Sequence, residues 1–149
     1  MKKIIALIIF FSSISGVFAL DEAFYTLGLA RVSYEQDIAQ GDTMLFIWTS
    51  RCPYCISELR AMNKNENVCK YSKCFFVNVG ETESNVKDVV RSLKLKSHIS
   101  QNIIANKSAS LVGRFSIVGV PTFIFMRNGK ILDRSYHFDE NTVRQIFKK

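Results

Sequence analysis

The residues of this chain with the most informative chemistry are two cysteines in the stretch WTSRCPYC. Cys52 and Cys55 are three positions apart, between an apolar run that predicts a buried strand and a segment that predicts a helix. Such a pair can be a structural disulfide, half of a metal site or a redox catalyst. Side chains at positions i and i+3 of a helix have Cβ atoms about 5–6 Å apart, and a first helical turn can bring them close enough for a disulfide.

The places of the two cysteines on the helix predict different roles. Cys52 stands at the helix N-terminus, where unpaired backbone N–H groups and the helix dipole favour a thiolate. Cys55 lies one turn further along and is expected to be less exposed. We therefore expect Cys52 to form the mixed disulfide with a substrate and Cys55 to resolve it. The neighbouring Arg51 either lowers the pKa of Cys52 further or is a solvated surface residue.

A second pair of cysteines, Cys69 and Cys74, lies in VCKYSKCFF, before a second predicted strand. We expect a structural disulfide that tightens this loop, because neither residue stands at a helix start. A pair that exchanges electrons with Cys52 and Cys55 is the alternative. The four cysteines together also match a C-x2-C-x13-C-x4-C zinc pattern, but export of the protein argues against a metal site.

The N-terminus has the features of a secretory signal peptide. Lys2 and Lys3 precede the apolar run IIALIIFF, and small residues occupy the positions three and one before a cleavage after Ala19. Cleavage there leaves one domain, residues 20–149, whereas an uncleaved membrane anchor over residues 4–20 is the alternative. We therefore expect an exported, periplasmic protein in an oxidising compartment, where cysteines pair or do redox chemistry.

Charge and composition indicate a globular domain and argue against a nucleic acid as a partner. The chain carries a formal net charge of +7, which falls to +5 when the two lysines of the signal are removed. The remaining basic residues are scattered, whereas a nucleic-acid-binding surface needs a concentrated basic patch. Apolar residues make up 48% and charged residues 22%, the balance of a folded domain with a sizeable core. His98 and His137 lie in no motif and are interpreted as surface residues.

The order of predicted elements indicates an α/β fold around a mixed sheet. An N-terminal helix or extended lead-in precedes a strand (TMLFIWTS), a helix (PYCISELRAMNKN), a strand (CFFVNVG) and an amphipathic helix (ETESNVKDVVRSLKLK). Residues 97–107 are ambiguous, with a short strand at Ile103 and Ile104, and SASLVGRF predicts another helix. Two strands joined by an Asn128-Gly129 turn and a final helix complete the chain. Such strand–helix–strand units with a terminal hairpin are typical of an α/β sandwich.

A second motif, GVPTFIFMRNGK, places Pro121 at the start of a strand and before a hairpin. WTSRCPYC followed by GVPTFIFMRNGK resembles the thioredoxin superfamily over essentially the whole mature chain. The resemblance implies a thioredoxin fold in which the Val120–Pro121 bond is cis and Pro121 lies against the disulfide. A cis proline would hold the Val120 backbone in an extended pose that can pair with a substrate strand. With these two residues, Tyr54 is expected to bind substrate; a trans proline opening an edge strand is the alternative.

Within the superfamily, the extra helix between CFFVNVG and VPTF resembles exported thioredoxins of the TlpA/ResA type, a group implicated in disulfide reduction during cytochrome c maturation. Glu58 falls where that group carries an acidic residue, and its carboxylate could hold the proton of the resolving thiol of Cys55. A solvent-facing glutamate is the alternative. Phe46 replaces the buried Asp of cytosolic thioredoxins, and CPYC resembles glutaredoxins, so the direction of electron flow stays open.

These features predict an enzyme, a thiol:disulfide oxidoreductase that acts more as a reductase than as an oxidase. Its partners would be substrate proteins with disulfides or thiols, together with a membrane-bound or soluble redox protein. No organic cofactor, metal or nucleic acid is required. The alternatives are a disulfide-donating oxidase and a thioredoxin-fold binding module in which CPYC is only a structural disulfide.

Overall fold

The structure of the protein, a computed structural model, describes residues 22–148. The predicted signal peptide, residues 1–19, lies outside the described residues. No helix within residues 22–148 is long and apolar enough to cross a membrane. The strands and helices are, in chain order, β1 (Ala23–Tyr25), β2 (Arg31–Ser33), β3 (Asp42–Trp48), α1 (Pro53–Lys64), β4 (Lys73–Val79), α2 (Glu83–Leu93), α3 (Ser97–Ser100), β5 (Ile103–Asn106), α4 (Ser110–Arg114), β6 (Thr122–Arg127), β7 (Lys130–Ser135) and α5 (Glu140–Phe147).

A five-stranded mixed sheet in the order β5-β4-β3-β6-β7 forms the centre of the fold. β3 pairs in parallel with β4, and β4 with β5, whereas β6 pairs antiparallel with β3 and with β7. Residues 43–48 of β3 are all buried, as expected of a central strand whose two faces are both covered. This sheet, with helices on both faces, confirms the predicted thioredoxin fold.

Two apolar clusters, one on each face of the sheet, hold the surrounding elements. Met44, Phe46 and Trp48 of β3 pack with buried residues of α1, α2 and α5 on one face. Leu45 and Ile47 pack with β1, β2 and α4 on the other. The ring of Phe46 stacks on Phe123 with 4.5 Å between centroids, so an aromatic pair fills the position under α1 that holds an Asp in cytosolic thioredoxins.

The N-terminal segment is a β-hairpin. The sequence left a helix or an extended segment open, and the structure shows the extended form. β1 and β2 pair antiparallel and lead into a π-helical turn over Tyr34–Ile38. Thr26 forms an isolated antiparallel bridge with Ile104 of β5. A Cβ at Gly28 would lie 2.9 Å from the carbonyl oxygen of Gln101, so this close approach of two backbones requires glycine. The hairpin thereby packs beside the β5 edge of the sheet.

Residues near the C-terminus form the predicted hairpin turn and, in addition, a helix cap. Asn128 and Gly129 have φ angles of 49° and 75°, the left-handed pair of a two-residue hairpin turn between β6 and β7. Asp139 caps α5 by accepting hydrogen bonds from the backbone N–H groups of Asn141 and Thr142. The cap fixes the end of the loop between β7 and α5 at the start of the helix.

Candidate active site

The sulfur of Cys52 lies at the start of α1, directly after the loop that leaves β3. Cys52 is the N-cap residue, with an extended backbone (φ −93°, ψ 107°), and Pro53 occupies the first helical turn. Its Sγ accepts a hydrogen bond from the backbone N–H of Cys55 at 3.1 Å. The Cys52 sulfur therefore lies at the end of the helix where unpaired backbone N–H groups gather.

Cys55 lies behind Cys52 and is completely buried in the apolar cluster that contains Trp48 and Leu59. Burial raises the pKa of the Cys55 thiol from 9.0 to about 12, and the hydrogen bond with Cys52 adds to the rise. Cys52, by contrast, is half-buried. The structure therefore combines one accessible sulfur with one that solvent does not reach and that holds its proton.

The loop before β6 places a cis peptide bond against Cys52. The Val120–Pro121 bond is cis, and the carbonyl oxygen of Val120 lies 3.7 Å from the Cys52 sulfur. Thr122 donates its hydroxyl hydrogen to the carbonyl oxygen of Gly119 at 2.7 Å, which closes the loop. Pro121 is buried and Val120 is half-buried, so the backbone of Val120 borders the reactive sulfur.

Two exposed side chains flank Cys52 along the chain. Tyr54 is 71% exposed although it is large and apolar, and Arg51 is also exposed. An aromatic side chain left in solvent beside a reactive group is a common feature of protein-binding surfaces. The positive charge of Arg51 acts on the carboxylate of Glu81, whose pKa it helps to lower.

Glu58 lies on α1 one turn after Cys55, and its two oxygens bind the loop between β7 and α5. One oxygen is 2.8 Å from Nδ1 of His137, and the other accepts the backbone N–H of Phe138 at 3.1 Å. Only 14% of the Glu58 side chain is exposed, whereas 79% of His137 is. Glu58 therefore connects α1 to this loop, and its predicted role as proton acceptor for Cys55 stays a prediction.

The second cysteine pair lies at the opposite end of the sheet. Cys69 and Cys74 are joined by a disulfide, with 5.5 Å between their Cα atoms. Cys74 pairs in register with Met44, near the start of β3, whereas Cys52 follows Trp48 at its end. At about 3.3 Å per residue, this separates the two pairs by more than about 13 Å. The four sulfurs therefore do not surround one metal ion, and direct exchange between the pairs within one molecule is out of reach.

Both histidines have a partner in the surrounding structure. Nε2 of His98 lies 3.3 Å from the carbonyl oxygen of Met62, and the ring of His137 is directed at Glu58. Residues 22–148 contain no group of three or more His, Cys, Asp or Glu side chains that could hold a metal ion. Both rings therefore contact groups of α1, Met62 and Glu58, from other elements of the fold.

Beneath the loop before Cys52 lies a buried carboxylate that the sequence analysis did not identify. Glu81, only 7% exposed, accepts the backbone N–H of Ser50 at 2.8 Å, the hydroxyl hydrogen of Ser50, and the side-chain N–H of Asn78 at 2.6 Å. Burial alone would raise the pKa of Glu81, but these hydrogen bonds and the charge of Arg51 outweigh it and lower the pKa. Glu81 is therefore an anion at neutral pH.

A positional signal for Glu81 was present in the sequence. Glu81 follows β4, and the CPYC motif follows β3, its parallel neighbour. The carboxyl ends of adjacent parallel strands meet at one edge of a sheet, where sites commonly form. The run ETES is typical of a solvated helix start, so the local pattern does not predict that its first residue, Glu81, is buried.

Comparison with known proteins places the chain in a well-populated fold. A family model described as a thioredoxin-like domain matches residues 32–149. No curated protein sequence matches the chain. The fold is shared with StoA from Bacillus subtilis, which is 20% identical (TM-score 0.65; 84% of this chain and 94% of that chain covered).

Two further solved structures are similar over most of their length. One is a secreted Mycobacterium tuberculosis disulfide oxidoreductase homologous to E. coli DsbE, 14% identical (TM-score 0.66; 86% of this chain and 95% of that chain). The other is the exposed lipoprotein thioredoxin of Streptococcus pneumoniae, 17% identical (TM-score 0.67; 86% and 98%). At these identities the likeness is one of fold.

Proposed function

Because the chain belongs to the thioredoxin-like family, we propose that it is a thiol:disulfide oxidoreductase that exchanges disulfides with partner proteins. The observation that carries this proposal is the environment of the Cys52 sulfur. It caps α1, is partly accessible, and lies 3.7 Å from the Val120 carbonyl oxygen beside a cis proline. An inert structural disulfide needs neither the accessible helix start nor the adjacent cis-proline loop.

The reaction consists of two thiol–disulfide exchanges. The Cys52 thiolate attacks one sulfur of a substrate disulfide R–S–S–R′, forms the mixed disulfide Cys52–S–S–R and releases R′–S⁻, which takes up a proton. Cys55 then loses its proton, attacks the Cys52 sulfur, closes the Cys52–Cys55 disulfide and releases R–S⁻, which is protonated in turn. The substrate gains two electrons and two protons, and a dithiol redox partner, membrane-bound or soluble, returns them to the protein.

We propose reduction of substrate disulfides as the direction of this exchange. Strongly oxidising pairs stabilise their reduced form, commonly as a thiolate. In this site burial keeps Cys55 protonated, and the Glu81 carboxylate behind the Cys52 loop disfavours further negative charge. Equilibration of the pair with dithiothreitol and glutathione measures its potential. A value near that of thioredoxin, about −270 mV, is expected, and a value near about −120 mV would make the protein a disulfide donor.

Cysteine variants test the exchange itself. Cys52→Ser is expected to abolish reduction of insulin disulfides, because it removes the attacking sulfur. Cys55→Ser is expected to stop turnover and to accumulate mixed disulfides between Cys52 and substrate proteins, visible as bands that dithiothreitol removes. Wild-type turnover that survives Cys52→Ser would instead favour a binding module in which CPYC is only a structural disulfide.

The substrate is expected to contact the surface around Cys52. We propose that the backbone of Val120 pairs with an extended substrate segment, while Pro121 and Tyr54 border it. The high exposure of Tyr54 and the position of the half-buried Val120 beside the Cys52 sulfur support this assignment. Substrates of this kind are polypeptides with an accessible disulfide or thiol.

We propose that the protein acts after export, in the periplasm or an equivalent oxidising space. The signal features of residues 1–19 and the disulfide between Cys69 and Cys74 support this location. Intact-mass analysis of the protein from the exported fraction is expected to give an N-terminus at Leu20. A mass that retains residues 1–19 in membrane fractions would show the uncleaved anchor instead.

A further inference from the structure

The buried carboxylate of Glu81 takes no part in the exchange reaction, yet it binds the loop that carries Cys52. We propose that Glu81 is a positioning residue for the Cys52–Cys55 pair, acting through Ser50 to hold the loop between β3 and α1 against the sheet. This inference rests on the proposed oxidoreductase function and deepens it, since it names a residue that controls the redox equilibrium of the pair.

The carboxylate is itself held by the sheet. Asn78, the completely buried register partner of Trp48 in the neighbouring strand, donates its side-chain N–H to Glu81 Oε2 at 2.6 Å. Gly80, with φ of +77°, turns the chain between Asn78 and Glu81, and its N–H binds the carbonyl oxygen of Asn106 at 3.0 Å. Because residues with a Cβ rarely adopt this φ, the turn directs Glu81 back over the end of the sheet.

From this position the carboxylate holds Ser50 by two hydrogen bonds. Oε2 accepts the backbone N–H of Ser50 at 2.8 Å, and Oε1 accepts its hydroxyl hydrogen. Hydrogen bonds to an ionised acceptor in a buried site are stronger than neutral ones. Both the main chain and the side chain of Ser50 are therefore tied to a group that the sheet holds in place.

The residue before Ser50 contacts both cysteines. The carbonyl oxygen of Thr49 accepts the backbone N–H of Cys52 at 3.4 Å, and a backbone hydrogen bond from Thr49 to the sulfur of Cys55 opposes the rise in its pKa. A displacement of Ser50 would carry Thr49 with it. The chain of contacts Glu81–Ser50–Thr49 thus connects the buried carboxylate to the backbone of Cys52 and to the sulfur of Cys55.

The charge of Glu81 sets the direction of the expected effect. The hydrogen bonds with Ser50 hold this anion close behind the cysteine loop, where its charge disfavours a thiolate and so does not stabilise the reduced pair. Without the Ser50 hydroxyl the carboxylate is held less closely, so the effect of its charge on the pair becomes smaller. In Glu81→Gln the amide can still accept and donate hydrogen bonds at Ser50, but the negative charge is gone. The thiolate form is then easier to reach, and the pair becomes less reducing.

The experiment compares four variants of the purified protein: Glu81→Gln, Ser50→Ala, the double variant, and Glu83→Gln as a control. Glu83 is an exposed glutamate two residues further on whose carboxylate pairs with Lys87, so its change removes the same charge without touching Ser50. For each, the Cys52–Cys55 equilibrium with dithiothreitol and the pH dependence of Cys52 alkylation are measured. Circular dichroism and the thermal midpoint report whether each variant is folded.

We expect Glu81→Gln to shift the equilibrium toward the dithiol by about tenfold, which is about 30 mV for this couple, and to move the alkylation profile to lower pH. Ser50→Ala alone should change the equilibrium at least threefold, and Glu83→Gln less than twofold. If Glu81 acts through Ser50, the effect of Glu81→Gln will shrink in the Ser50→Ala background. A purely structural role would lower the thermal midpoint without moving either redox readout.

Several results would overturn the inference. One is a redox equilibrium constant of Glu81→Gln that lies within twofold of the wild-type value. Another is full additivity of the effects of Glu81→Gln and Ser50→Ala, because additivity would mean that the charge acts from a distance and not through Ser50. If Glu81→Gln does not fold, an unchanged equilibrium in Ser50→Ala decides against it. A wild-type protein that forms no reversible Cys52–Cys55 disulfide would remove the proposed function as well, which distinguishes the two failures.

Discussion

The two cysteines of the CPYC motif meet opposite environments although only two residues separate them. The sulfur of Cys52 receives a backbone N–H at the helix start and borders the Val120 carbonyl oxygen. The sulfur of Cys55 lies in an apolar cluster without access to solvent. Under the proposed function, this difference would give the first sulfur access to a substrate and delay the second until a mixed disulfide has formed.

The raised pKa of Cys55 makes the stability of the reduced protein depend on alkaline pH. Its pKa is raised in the folded state from 9.0 to about 12, so the stabilisation is complete below about pH 9 and is lost as pH rises toward 12. We expect the reduced protein to lose about 1 kcal/mol more than Cys55→Ser between pH 8 and pH 10. Urea unfolding at both pH values, with a phosphine reductant, measures the difference.

A parallel scan of the oxidised protein serves as the control, because a cysteine in a disulfide does not titrate. Equal pH dependence of reduced wild type and Cys55→Ser would mean that the thiol ionises as easily in the folded as in the unfolded chain. That result would contradict the buried, protonated state assigned to Cys55.

Sequence patterns predicted the position of the candidate reactive residues, but not of the residues that support them. Cys52, Cys55 and Pro121 stand in motifs whose residue types and spacing predict that they lie together, and the structure brings them together. Glu81 has no such motif, because its burial depends on a turn at Gly80 and on donors from two separate segments of the chain. Contacts of this kind come from the tertiary structure, and no periodicity along the chain indicates them.

At the scale of elements, the first turns of α1 are fixed by hydrogen bonds to two loops. The loop between β3 and α1 is bound by Glu81, and the loop between β7 and α5 is bound by Glu58 of the helix itself. The latter loop also places Phe138 within 6.2 Å of Phe123, between ring centroids. The strand that follows the cis proline is therefore linked to the helix that carries the cysteines.

Replacing Glu58 separates a structural role from a proton-transfer role. Glu58→Ala leaves the half-buried N–H of Phe138 without its acceptor, and we expect it to lower the free energy of unfolding by about 1–3 kcal/mol. Glu58→Gln, which keeps an acceptor, should cost less. Chemical denaturation and the pH profile of insulin reduction are measured together.

The exposed Glu66, just beyond α1, provides the matched control for these variants, since Glu66→Ala should change stability by less than about 0.5 kcal/mol. A Glu58→Gln protein of normal stability whose pH profile is shifted would assign the carboxylate to the proton of Cys55. In that case the hydrogen bonds to His137 and Phe138 would be secondary.

The second disulfide is expected to stabilise an element boundary without serving the reaction. It closes a short loop before β4, and the loop-closure entropy of such a ring contributes about 2 kcal/mol. A Cys69→Ser, Cys74→Ser double variant should lose about that much stability and retain the rate of insulin reduction. Loss of turnover at unchanged stability would instead give this pair a redox role.

The N-terminal hairpin shows why element prediction is weakest where burial is partial. Only single residues of β1 and β2, such as Phe24 and Val32, contact the core, and neither strand exceeds three residues. Such short segments carry no period that distinguishes strand from helix. β3, with its long apolar run, and α1, with its proline at the first turn, were predictable because each signal was local.

At the scale of the whole molecule, the central strand β3 contributes buried side chains to the apolar clusters on both faces of the sheet. β3 contributes Phe46 to one cluster and Ile47 to the other. The order of the predicted strands and helices along the chain was sufficient to predict a central mixed sheet covered by helices, because each predicted element could join only one layer, the sheet or its covering helices. The packing of the sheet connects the two clusters into one unit.

We expect the domain to unfold in a single cooperative transition. Trp48, the one tryptophan in the chain, is completely buried at the end of β3 and two residues before Ser50. Its fluorescence and far-UV circular dichroism should give the same urea midpoint. A fluorescence transition that precedes loss of secondary structure would mean that the active-site end opens separately from the rest of the sheet.

The placement of the Cys69–Cys74 disulfide at the end of the sheet opposite the free Cys52 and Cys55 has a consequence for how the protein withstands reductants. Under the proposed function, a reductant that reduces the CPYC pair also meets the disulfide, whose Cys74 is only 5% exposed while Cys69 is half-buried. Since exchange requires a thiolate to approach a sulfur in line, the Cys74 sulfur is shielded and attack is restricted to Cys69. The same small domain would then keep one sulfur–sulfur bond in turnover while the other is reduced more slowly.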